Sequence, residues 1–95
     1  MVAKYKFHGH PFQKWFNTTM NKHDIRPEVV SAMSGIKLSS VYDWKRGASL
    51  PKLISFWAIC RTFAVFEKTS PDKIAYNVLP LFNEDTRDPT LPVWR

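Results

Sequence analysis

IRPEVVSAMSGIKLSSVYDWKRG, running from Ile25 to Gly47, is the stretch that decides the fold. Pro27 suits a first helical turn, where its missing N–H has no intrahelical partner to lose, and Glu28 then faces the positive end of the helix dipole. The spacing predicts a short helix that turns Val29, Val30 and Met33 inward and stops at Gly35, since glycine takes the left-handed conformation of a helix end at little steric cost. After Ile36 a second short helix starts near Leu38, carries Val41 and Trp44 on its inner face and ends at Gly47. Two short helices joined so tightly need a small residue where their backbones approach, and Ser31 or Ala32 supplies it. Leu38, Ser39, Tyr42, Asp43 and Lys45 are left facing outward.

Upstream, His10-Pro11 opens a helix over about residues 11–22 whose buried stripe is Phe12, Trp15, Phe16 and Thr19-Met20, with Gln13, Lys14, Asn17 and Asn21 on the other side. Residues 1–9 form a basic N-terminal arm, either a short strand or flexible. Downstream, Pro51 precedes a helix with Leu53, Phe56, Trp57, Cys60 and Phe63 as its core stripe. Ser70-Pro71-Asp72 reads as cap, first helical residue and first-turn acid, so a fifth helix begins there. It is expected to finish before Pro80, whose ring clashes with the preceding turn. The expectation is one compact all-α domain of five helices over residues 10–79, with its central motif at 26–46 and an extended C-terminal tail at 80–95.

Charge narrows the partners. Residues 1–61 carry ten Lys and Arg against three acids, a net of +7, whereas the rest carries four against five. A positive body followed by a slightly acidic end fits a nucleic-acid-binding core and a tail, though an anionic membrane or an acidic protein also suits a basic surface. Cys60, the single cysteine, excludes an intramolecular disulfide and sits in an apolar run where a thiol acts as a small hydrophobe. No stretch approaches the length of a membrane span and the N-terminus lacks the apolar block of a signal peptide, so a cytoplasmic, nucleoid-associated protein is expected. His8, His10 and His23 lack a carboxylate or thiolate at ligand spacing, so no metal is expected. Without a nucleophile and base pattern, a glycine-rich phosphate loop or paired carboxylates, neither catalytic residues nor a cofactor are expected.

The stretch from Ile25 to Gly47, continued by Leu50-Pro51 and the apolar run from Leu53 to Phe63, resembles the Cro and phage-repressor type helix-turn-helix family, often called XRE-like. Glu28, the small Ser31 and Ala32, Gly35 with an aliphatic neighbour, Val41, Trp44, Arg46-Gly47 and Pro51 coincide with the family pattern without a gap over about 40 residues. The resemblance implies a lambda-repressor-like domain that binds double-stranded DNA at an operator and regulates transcription as a repressor. It implies base contacts from Leu38, Ser39 and Asp43, with Tyr42 flanking, and phosphate contacts from Arg26, Lys37, Ser40, Lys45 and Arg46. Leu38 and Asp43 depart from the Gln, Arg or Asn common in the family, so specificity leans on Lys45, Tyr42, the arm and DNA shape.

A homodimer reading two half-sites about 34 Å apart is the expected assembly. Its interface is expected from Val78, Leu81, Phe82, Val93 and Trp94, with packing of this segment back on its own domain as the alternative. A second functional expectation keeps the fold as a protein-interaction module, an antitoxin, anti-repressor or adaptor with a protein partner and weak or no specific DNA binding.

Overall fold

The computed structural model describes residues 6–83, and among these it holds five helices and no strand. They are α1 (Pro11–Lys22), α2 (Pro27–Ser34), α3 (Leu38–Arg46), α4 (Leu53–Glu67) and α5 (Pro71–Asn83). Proline opens α1, α2 and α5, as the sequence led us to expect. His10 caps α1: its Nδ1 accepts the Phe12 N–H over 2.9 Å. Ser70 Oγ accepts the Lys73 N–H at the start of α5.

The turn between α2 and α3 is held by side chains as much as by backbone. Gly35 has φ +79 and returns its N–H to the Ser31 carbonyl. Ser31 Oγ donates to the Ile36 carbonyl over 2.6 Å, so Ser31 rather than the exposed Ala32 occupies the close approach. Ser34 Oγ donates back to the Val30 carbonyl and accepts the Ile36 N–H. α3 then packs on both α1 and α2, while α4 lies against α2 and α5.

The core is aromatic. Phe12 and Phe16 from α1 stack 5.5 Å apart, Phe16 and Phe63 stack at 5.6 Å, and Trp44 from α3 meets Phe16 edge-on. Val30, Val41, Ile59 and Cys60 close around them, fully buried.

Four expectations need correction. α5 does not stop before Pro80 but continues to Asn83. The proline removes one helical hydrogen bond and costs roughly 3 kcal/mol, while the extra turn buries Phe82, a gain of about the same size. The Phe82 ring lies 5.2 Å from Phe12 and 5.4 Å from Phe56. For the same reason Val78 and Phe82 belong to this chain's own core rather than to a dimer surface, and Leu81 packs against that core half-buried. Val93 and Trp94, and the tail from residue 84 onward, lie outside the described residues. α2 and α4 are rotated from the expected register: Val29, Met33, Leu53 and Trp57 are exposed, and of the adjacent pairs Val29-Val30 and Phe56-Trp57, whose members sit about 100° apart, only Val30 and Phe56 face inward. Finally, residues 6–9 are neither strand nor free arm. They form a turn docked on the end of α3, where the Phe7 N–H donates to the Gly47 carbonyl over 2.9 Å.

Candidate nucleic-acid interface

The outward side of α3 follows from what its inward side buries. Val41 and Trp44 are anchored in the core, which turns Leu38, 37% exposed, and the exposed Ser39 and Lys45 toward solvent. Ser40, Tyr42 and Asp43 are half-buried, and Arg46 is exposed. The expected base readers therefore share one helix and its accessible side, but two of them are already engaged. The Tyr42 hydroxyl donates to Glu28 Oε2 over 3.1 Å, which ties α3 to α2 and pushes the phenol pKa up, since a carboxylate acceptor favours the protonated form. Asp43 Oδ1 receives Arg46 Nη2 over 2.5 Å, an exposed pair one turn apart on α3.

Helix starts supply the cations. The residues preceding α2, α3 and α4 are Arg26, Lys37 and Lys52, and none of these side chains makes a capping hydrogen bond. All three are exposed. A helix start carries unsatisfied N–H groups and a partial positive charge, so a cation there is locally unfavourable unless an anion joins it. The sequence marks Arg26 and Lys37 as expected phosphate contacts; Lys52, at the same kind of position before α4, joins them as a candidate through the structure. Its signal was present in Pro51-Lys52, a helix start with no Ser, Thr, Asp or Asn to cap it.

The far end of α3 is held from α1. Gln13 Nε2 and Asn17 Nδ2 both donate to the Lys45 carbonyl, at 2.9 and 3.0 Å. The Gly47 N–H and the Ala48 N–H both return to the Asp43 carbonyl, at 3.0 and 2.8 Å. The presenting helix is thus fixed at both ends, by Ser31 and Ser34 before it and by these amides behind it.

Other groups stand apart from this surface. His10 is the buried cap of α1 and His23 Nε2 lies 3.0 Å from Glu67 Oε2, and no group of three His, Cys, Asp or Glu able to hold a metal occurs among the described residues. Burial pushes the Cys60 thiol up to about 12, which leaves it a core side chain and not a nucleophile. An open cleft of about 370 Å³ is floored by Trp15, Phe63, Ile74 and Val78, with no lining residue from α3. No helix among the described residues is long and apolar enough to cross a membrane. No family model, curated protein or solved structure matches the chain.

Proposed function

We propose that this chain is a sequence-specific, double-stranded DNA-binding regulator of transcription, a repressor of the Cro type, whose α2–turn–α3 unit is a helix-turn-helix in a lambda-repressor-like domain. The segment from Leu38 to Arg46 enters the major groove, and the protein acts as a homodimer on two half-sites. One observation carries the reading: a short helix clamped from behind by Val41 and Trp44 presents Leu38 and Ser39 to solvent, directly after the uncapped, exposed Lys37. Arg26 repeats the arrangement at α2.

In the groove, Leu38 meets a thymine methyl and Ser39 bonds either a donor or an acceptor edge. Asp43 accepts from cytosine N4 once Arg46 turns from it to a phosphate. Arg26, Lys37, Ser40 and Lys45 take phosphates, the first two together with the N–H groups of the helix starts behind them. With six to eight phosphates neutralised per dimer, log affinity falls against log salt with a slope of about −5 to −7. Selection of bound duplexes from a random pool by the purified chain tests the reading. A conserved site with that salt dependence supports it; equal affinity for all sequences, or a slope near −1, overturns it.

A protein-interaction module is the second reading. It is favoured by the engagement of Tyr42 with Glu28 and of Asp43 with Arg46, which occupies two of the expected base readers. That reading expects one protein recovered stoichiometrically and no discrete footprint on DNA.

A further inference from the structure

We propose that the outer face of α4 is the surface through which two copies of this chain pair, in an antiparallel arrangement about a two-fold axis. The inference goes beyond DNA recognition and does not depend on it. A helix that is apolar all round is normally covered all round. α4 is apolar on both sides, yet the described residues cover only the side of Phe56, Ile59, Cys60, Phe63 and Ala64. On the other side Ile54 is 86% exposed, Val65 63%, Leu53 56% and Trp57 39%.

Ile54, Trp57, Ala58, Arg61 and Val65 fall within about 100° of the helix circumference, with Leu53 at the margin. Arg61 is the one charge on this face, and no acid interrupts it. The order of these residues is self-complementary under a two-fold. With the axis crossing α4 between Ile59 and Cys60, Ile54 of one copy meets Val65 of the other, and the Arg61 guanidinium lies over the Trp57 ring. Apolar ends therefore meet apolar ends, the lone cation gains an aromatic face, and the small Ala58 near the axis lets the helices approach. This is what an isologous interface needs, in which one patch must serve as its own partner.

The area fits a second copy too. These exposures amount to roughly 450 Å² of apolar surface on each copy, so two copies bury on the order of 1,000 Å² with the Arg61 stem included, near the lower bound of a specific interface. α3 takes no part in the face, because it packs on α1 and α2 while α4 packs on α2 and α5. Each chain carries +6, so the copies repel, and a weak dimer that salt tightens is expected.

Sedimentation equilibrium of the full chain, from low-micromolar to near-millimolar concentration at two salt concentrations, tests this. The expected result is a monomer–dimer equilibrium strengthened by salt. Ile54→Asp, at a position too exposed to disturb the fold, raises the dissociation constant at least about tenfold with an unchanged melting temperature. Arg61→Glu weakens the dimer as well, whereas Lys37→Ala leaves it intact while weakening DNA binding, which separates failure of the pairing from failure of the DNA reading. A wild-type chain that stays monomeric throughout overturns the proposal. So does an Ile54→Asp chain that dimerises like the wild type, or a monomer whose Trp57 is shielded from a water-soluble quencher, which assigns the face to the chain's own residues 84–95.

Discussion

Gln13 on α1 donates its Nε2–H to the backbone carbonyl of Lys45 on α3 over 2.9 Å, while its Oε1 accepts the Gly9 N–H over 2.5 Å. One buried amide thus joins the turn that precedes α1 to the end of the helix that α1 supports. A carbonyl in the last turn of a helix has no intrahelical donor, so the amide satisfies a group that the helix cannot satisfy itself.

Replacing this amide by a hydrocarbon of similar size leaves the Gly9 N–H without its partner and the Lys45 carbonyl with the Asn17 amide alone. Gln13→Leu is expected to destabilise the fold by about 1–3 kcal/mol. Asn17→Leu, which removes a more exposed donor to the same carbonyl, should cost less. Urea denaturation of the two variants measures the difference, with the exposed Lys14→Ala on the same helix as control. Hydrogen exchange at the Gly47 and Ala48 amides should quicken in Gln13→Leu. A loss no greater than the control's shows that the amide does not hold α3.

The two glycines that close α2 and α3 make a matched pair with different surroundings. Gly35 and Gly47 have φ of +79 and +87, so alanine at either is strained by about 1–2 kcal/mol. At Gly35 the added methyl meets open space. At Gly47 it falls 2.7 Å from His8 Cα and N and 2.9 Å from the Phe7 carbonyl carbon, all of them backbone atoms that must move. Gly47→Ala is therefore expected to lower the melting temperature well beyond Gly35→Ala, by the equivalent of at least about 1 kcal/mol more. Equal losses show that the turn at residues 6–9 does not rest on Gly47.

What the sequence made legible divides along the same physical line. The starts at Pro11, Pro27, Leu38 and Pro71 and the ends at Gly35 and Gly47 are local events, written in residues that fix or free one backbone angle. The rotations of α2 and α4 are not local. Val29-Val30 and Phe56-Trp57 are adjacent apolar pairs, and which member faces inward is decided by the helices they meet. Helical spacing puts Gln13 on the polar side of α1, yet it is buried against a carbonyl 32 residues away that nothing near it in the sequence announces. Pro80 is the converse case: a strong local stop signal is overridden by the burial of Phe82 two residues later. At the candidate interface, the exposed Leu38, Ser39 and Lys45 were legible from the inward stripe of Val41 and Trp44, whereas the side-chain pairs Tyr42–Glu28 and Asp43–Arg46 were not.

Acid should loosen the junction of α1 and α4. Glu67 accepts from His23 and pairs with Lys22 at 3.4 Å, and the bond to His23, followed by that to Lys22, holds its carboxyl below the ordinary carboxylate value. A depressed pKa means that the unfolded chain binds the proton more readily than the folded one. The contribution is therefore complete above the ordinary value and is lost as pH falls through the lowered one. Urea midpoints of the wild type should drop more steeply than those of Glu67→Gln over that acid range, and the two should run parallel near neutrality. Parallel curves throughout would show that the pair contributes nothing to the acid stability of the junction.

Asp43 tests whether the ion pair with Arg46 belongs to folding or to DNA. At side-chain exposures of 41% and 50% the pair is well solvated, and exposed pairs of this kind contribute about 0–1 kcal/mol. Asp43→Ala is accordingly expected to leave the melting temperature nearly unchanged. Its effect on DNA should be larger and of two kinds. Removing an acid from the face proposed to approach phosphates raises affinity for every duplex at low salt, because a local repulsion disappears. Losing the acceptor for cytosine N4 also erodes discrimination at one base pair, by roughly 1–3 kcal/mol against the wrong base. Lys37→Ala is expected to do the opposite on both counts, weakening all duplexes alike, reducing the salt slope by about two because each copy of the dimer loses one phosphate contact, and leaving the preferred site as it was. Competition binding of the two variants across single-base changes of the selected site separates these effects. If Asp43→Ala shifts affinity uniformly with no change in preference, Asp43 is a phosphate-side neighbour of Arg46 and the base reading falls to Leu38, Ser39 and Tyr42.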